Sequence, residues 1–136
     1  PNADAGSDQI SKGIRRWREK KLDKKMHFFK NLSIENYVWL MKKVSCLVGN
    51  SSSGIREGAF IGTPTVNIGS RQMSRQRGLN VIDVSYNKNE IKDAITKQIN
   101  HGPYKQDSIY GNGFSSLKIV KVLEHFDISS QKKINY

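Results

Sequence analysis

Three short apolar runs, at residues 44–48, 65–68 and 80–84, constrain this chain more than anything else in it. Each has Gly, Pro or Asn at one end or both, and Val recurs in all three. Such runs are too short for helices and suit buried strands. After the first run comes Gly49-Asn50-Ser51-Ser52-Ser53-Gly54, and then Ile55, Ala59 and Phe60 at helical spacing. Strand, small polar loop and helix in that order can build an anion site. Glycines allow tight turns, serines offer hydroxyl donors, and a helix start presents unpaired N–H groups with partial positive charge. A phosphate-bearing ligand suits that loop, and so does an ordinary capped connection.

Two known phosphate motifs are excluded. Gly49 and Gly54 have the spacing of Walker glycines, but Ile55 stands where the lysine belongs. No GxGxxG occurs, and Gly111-Asn112-Gly113 reads as a turn. The stretch that follows favours a ligand. Gly62-Thr63-Pro64 ends the helix and 65–68 reads as a strand. Arg71, Arg75 and Arg77 then fall between Gly69 and Gly78, just past that strand's end. In open α/β sheets ligands bind at this edge, and planar guanidinium groups match phosphate oxygens.

The remaining segments complete an alternating pattern. Ser7 or Asp8 starts an expected helix with Ile10, Ile14 and Trp17 on one face, reaching about Lys21, and 26–32 reads as a strand. Ser33 precedes a second helix with Glu35 in its first turn and Tyr37, Leu40, Met41 and Val44 facing inward. Helices are also expected over 89–99, through Ile91, Ala94, Ile95 and Ile99, and over 114–126. Strands alternating with helices predict α/β architecture with a parallel sheet covered on both faces. Residues 129–136 read as a polar tail.

The ordered series Gly49 to Glu57, Gly62-Thr63-Pro64, Asn67-Ile68-Gly69, Arg71-Gln72 and Asn80-Val81-Ile82-Asp83-Val84 resembles the UDP-N-acetylglucosamine 2-epimerases. The hydrolysing branch, which forms N-acetylmannosamine, is the nearer match. Pro1-Asn2-Ala3-Asp4-Ala5-Gly6-Ser7 is similar to another segment of that family, so the likeness runs from residue 1 to about 126. The resemblance implies a Rossmann-like three-layer lobe over 1–128, the C-terminal, UDP-binding half of a two-lobed glycosyltransferase-B-like enzyme. With no methionine at Pro1, the chain is expected to be a fragment whose N-terminal lobe lies upstream.

Site roles follow residue by residue from the resemblance. Ser51 and Ser52 match serines that hold the diphosphate, and Arg71 matches an arginine that reaches toward the phosphates. Glu57 matches the glutamate that accepts hydrogen bonds from both ribose hydroxyls, Asn2 a ligand-contacting asparagine, and Leu32 a position whose backbone reads the uracil edge. The implied reaction loses UDP to give a 2-acetamidoglucal intermediate, and water then adds to give N-acetylmannosamine. The acid/base groups are expected upstream of residue 1, with none assigned in this chain. No metal or cofactor is implied. The full enzyme is expected to be cytoplasmic and homo-oligomeric.

Charge supports a rival. The net charge is +11, and residues 12–30 hold nine Lys or Arg against Glu19 and Asp23. A block like that can bind nucleic acid, but a solvated helix face is the preferred reading, because up to Lys25 only Trp17 interrupts it with an aromatic and its spacing puts Trp17 on the apolar stripe. His27, His101 and His125 have no partner spacing, and Cys46 sits in an apolar run where a buried thiol is expected. No apolar run is long enough for a bilayer span. A related sugar-nucleotide epimerase or glycosyltransferase lobe is the remaining alternative.

Overall fold

The computed structural model describes residues 7–20 and 25–126. These fall into two compact units, Pro1–Ile34 and Glu35–Tyr136. In the first unit, helix α1 (Ser7–Glu19) begins with Asp8 and closes with Arg16 and Arg18, charges that complement the helix dipole at each end. Its expected continuation to Lys21 lies outside the described residues.

The strand expected over 26–32 is absent: residues 25–33 hold neither strand nor helix. An extended run becomes a strand only when a neighbour completes its hydrogen-bond ladder, and none of the three described strands pairs with it. Met26, Phe28 and Phe29 stay exposed, and the Arg18 guanidinium lies over the Phe28 ring at 5.3 Å from its centroid.

Helix α2 (Ile34–Lys43) leads into the second unit and buries Met41 there. The sheet has three parallel strands in chain order, β1 (Leu47–Gly49), β2 (Thr65–Ile68) and β3 (Val81–Val84). The register places Gly49 beside Asn67 and Asn67 beside Asp83. β2 is central and the most buried, as expected of a strand paired on both sides. Two short helices follow β1, α3 (Ser52–Ile55) and α4 (Glu57–Ile61), where the sequence suggested one. Gly54 brings α3 close to the sheet, since a Cβ there would stand 2.6 Å from Thr65 Cγ2.

No helix links β2 to β3. The arginine-bearing residues 69–80 are themselves the crossover, in turns and bends, and are long enough to join parallel strands. Helix α5 (Lys88–His101) then packs on β2 and β3. Its start is fixed by the Asn87 side chain, which accepts from the N–H groups of Asn89 at 2.8 Å and Glu90 at 3.3 Å. Helix α6 (Ser115–His125) buries no residue. No described helix is long and apolar enough to cross a membrane.

The core is small and partly polar. Met41, Ile55, Ala59, Val66 and Ala94 share it with Thr63, Thr65, Asn67, Asn80 and Gln98. Gln98 is fully buried. Its amide nitrogen donates to Thr65 O at 2.7 Å and Asn80 O at 2.8 Å, and its oxygen accepts from the Tyr104 hydroxyl at 2.8 Å. Asn80 in turn donates to Gly54 O and Thr63 O, so one amide pair ties α3, β2, β3 and α5 together.

Candidate functional site

The strand ends converge on the loop after β1. Ser51 caps α3: its hydroxyl oxygen accepts from Ser53 N–H at 3.3 Å and its O–H donates to Ser53 Oγ at 3.2 Å. The serines are therefore already ordered by one another, with Ser51 exposed and Ser52 half-buried. From the crossover, the Gln72 amide donates to Asn50 O at 2.9 Å, and Arg71 Nη1 reaches the same carbonyl at 3.4 Å. Arg71 and the serine loop, separate in sequence, thus meet at one peptide.

The three arginines have different fates. Arg77 is built into the protein: Nε lies 2.9 Å from Asp83 Oδ2 and Nη2 donates to Gln72 O at 2.7 Å, while Nη1 donates to Arg75 O. Asn67 Nδ2 donates to Asp83 Oδ1 at 2.6 Å. Burial pushes the Asp83 carboxyl up, but the hydrogen bonds from Arg77 and Asn67, with the Arg77 charge, outweigh it and hold the group below its ordinary value. The expectation that all three guanidinium groups serve a phosphate is corrected for Arg77, which is committed to Asp83. Arg71 and Arg75 are exposed.

Glu57 opens α4 and lines a cavity of about 430 Å³ with Val38, Phe60, Tyr110, Gly113 and Ser115. An acceptor-only carboxylate over an apolar wall suits a hydroxyl-bearing ring. The far wall is the turn at 110–113 with the first residues of α6, Ser115 and Ser116; the sequence marked Gly111-Asn112-Gly113 only as a turn. Gly111 and Gly113 take φ of 110° and 88° there, and the Tyr110 hydroxyl donates to Gln76 O at 2.8 Å, anchoring it to the arginine crossover. Gln72 was also missed as a participant, although Arg71-Gln72 stood out as a pair.

Leu32 lies in the first unit, in the irregular segment where a strand was expected, and Asn2 lies outside the described residues. Cys46 is half-buried, and burial pushes its thiol up against a smaller opposing hydrogen bond to the backbone of Val66. His101 stacks on Tyr104 with ring centroids 3.8 Å apart, and His125 contacts Lys121 O at 2.8 Å, local structural roles for both. Among the described residues no group of His, Cys, Asp and Glu could hold a metal ion.

The family model described as UDP-N-acetylglucosamine 2-epimerase matches residues 1–124. A UDP-N-acetylglucosamine 2-epimerase of Neisseria meningitidis serogroup B is 30% identical over 139 residues, covering 98% of this chain and 36% of that protein. The GDP/UDP-N,N'-diacetylbacillosamine 2-epimerase (hydrolyzing) of Campylobacter jejuni is 41% identical over 86 residues, 63% of this chain and 22% of its own length. The polysialic acid biosynthesis protein P7 of Escherichia coli is 39% identical over 94 residues, 69% of this chain and 23% of that one. The chain spans about a third or less of the length of these relatives.

Proposed function

Because this chain belongs to the UDP-N-acetylglucosamine 2-epimerase family, we propose that it is the UDP-binding lobe of a hydrolysing enzyme that converts UDP-N-acetylglucosamine to N-acetylmannosamine and UDP. The observation that carries this reading is the meeting of Arg71 with the 50–53 loop at Asn50 O, together with a cavity lined by Glu57 of α4, the second of the two short helices that follow that loop. One end offers cationic and hydroxyl donors, and the other a carboxylate acceptor. That is the polarity of a nucleoside diphosphate, with phosphates toward Ser51, Ser52 and Arg71 and ribose hydroxyls toward Glu57.

The lobe's contribution to the reaction is electrostatic. As the glycosidic C–O bond breaks, negative charge grows on departing UDP. Donors already oriented toward its phosphates stabilise that charge more than they stabilise bound substrate. Removal of the C2 proton and addition of water fall to groups outside this chain. Asn2 and Leu32 retain the ligand-contacting and uracil-reading roles that the resemblance gives them.

The test is a titration with UDP against GDP, followed by amide NMR. Selective shifts at Ser51, Ser52, Glu57 and Arg71, lost or weakened at least tenfold in Glu57→Ala, are expected. An absence of any UDP response at residues 51–57 would sink the reading. A second sugar choice has its own support in the Campylobacter relative, named for N,N'-diacetylbacillosamine linked to GDP or UDP. Product analysis of the whole protein with both UDP-sugars separates the two.

A further inference from the structure

We propose that Gln72 is a positioning residue that aims the Ser51 N–H at the ligand's diphosphate; the inference rests on the UDP reading above. Gln72 is 5% exposed, and its amide nitrogen donates to Asn50 O at 2.9 Å. The peptide joining residues 50 and 51 is planar and trans, so the Asn50 carbonyl and the Ser51 N–H point in opposite directions. Pinning the carbonyl on one side therefore fixes the donor on the other.

The pin has its own foundation. Arg77 holds Gln72 O at 2.7 Å and is held by Asp83 at 2.9 Å, which also accepts from Asn67 at 2.6 Å. Asn67 is the register partner of both Asp83 and Gly49. The path leaves the sheet at Gly49, crosses to Asp83, and returns through Arg77 and Gln72 to Asn50, closing a ring around the strand ends.

Two further observations favour positioning over packing. Gln72 Oε1 is buried without a hydrogen-bond partner among the described residues. An apolar side chain of the same size would avoid that cost, so the donor to Asn50 is the atom that recommends glutamine here. Arg71 shares the Asn50 carbonyl only at 3.4 Å. When its guanidinium turns to a phosphate, Gln72 keeps the peptide from rotating.

The experiment compares wild type, Gln72→Met and Gln72→Glu in the whole protein that carries this chain. Binding of UDP, UDP-N-acetylglucosamine and uridine is measured by calorimetry. Gln72→Met keeps the volume and loses the donor. It is expected to weaken UDP about tenfold or more while leaving uridine, which has no phosphates, within about twofold. Gln72→Glu places a carboxylate against a carbonyl and is expected to bind UDP-N-acetylglucosamine poorly at about pH 7.5. It should recover toward about pH 5 as its carboxyl takes up the proton that restores the donor. Arg71, Arg77 and Asp83 are the charged groups around Gln72, and Asp83, held below the ordinary carboxylate value, stays ionised across that range. Gln72→Met has no such recovery. Equal UDP affinity in wild type and Gln72→Met, or equal weakening for UDP and uridine, would overturn the proposal. A wild-type protein blind to UDP would instead overturn the nucleotide reading, and the proposal with it.

Discussion

At the scale of single residues, the second unit is held by buried amides as much as by hydrocarbon. Gln98 serves two backbone carbonyls and a tyrosine hydroxyl from a fully buried position. Gln98→Leu preserves the volume but strips those partners, of which the Thr65 and Asn80 carbonyls meet Gln98 in buried hydrogen bonds. A loss of about 2–4 kcal/mol is expected, read as a drop in the urea midpoint with unchanged slope. Asp83 gives a smaller, pH-dependent effect. Its carboxyl is depressed in the folded protein, so its contribution is present above the ordinary carboxylate value. It is lost as pH falls through the lower folded value. About half of its side chain is open to solvent, at 48%, so screening keeps this term to about 0.5 kcal/mol or less. Melting curves of wild type and Asp83→Asn should differ near neutral pH and converge in acid; a gap that widens in acid would contradict the assignment.

At the scale of elements, the contrast between α4 and α6 is the sharpest test. α4 ends at Gly62, with φ of 81°, where a Cβ would stand 2.1 Å from Tyr104 O. The backbone there is also tied, Tyr104 N–H donating to Gly62 O at 2.9 Å. Gly62→Ala must strain φ and push a main chain aside, and a loss of about 3 kcal/mol is expected. α6 behaves oppositely: Leu117 is 59% exposed and Leu123 53%. Leu117→Lys in this chain should stay within about 0.5 kcal/mol of wild type, and α6 amides should exchange faster than those of α5. The same contrast explains what could be read in advance. β2 spans the expected 65–68, and α5 and α6 fall within two residues of expectation, because period and punctuation are local. The 26–32 strand failed because pairing is not local: a β-like composition cannot show whether a neighbour exists. Gln98 stood one turn beyond Ala94 on the face expected to be apolar, and only the bare carbonyls it meets on β2 and at Asn80 explain an amide there. At the candidate site, motif order raises Ser51, Glu57 and Arg71 as expectations, whereas the Gln72 donor and the wall at 110–116 depend on contacts across long stretches of chain.

For the whole molecule, the question is whether a net charge of +11 or the shaped site dominates anion binding. The basic block lies at residues 12–30, wholly within the first unit, whereas the serine loop, Glu57 and Arg71 all belong to the second. The two kinds of binding differ in what salt does to them. A polyanion neutralised by six or more Lys and Arg side chains releases a condensed counterion for each. Its affinity falls by about a thousandfold or more between 50 and 200 mM salt. UDP carries only two phosphates and meets hydroxyl and backbone donors at the loop, with Arg71 as the cation nearest the Asn50 carbonyl. Its affinity is expected to fall by less than about tenfold over the same interval. Measuring UDP and a short DNA duplex in parallel across that range decides between them. A shallow UDP slope with selectivity over GDP places recognition in the second unit's geometry. Equal steep slopes for UDP, GDP and DNA would reduce the binding to charge alone and leave the serine loop an ordinary capped connection.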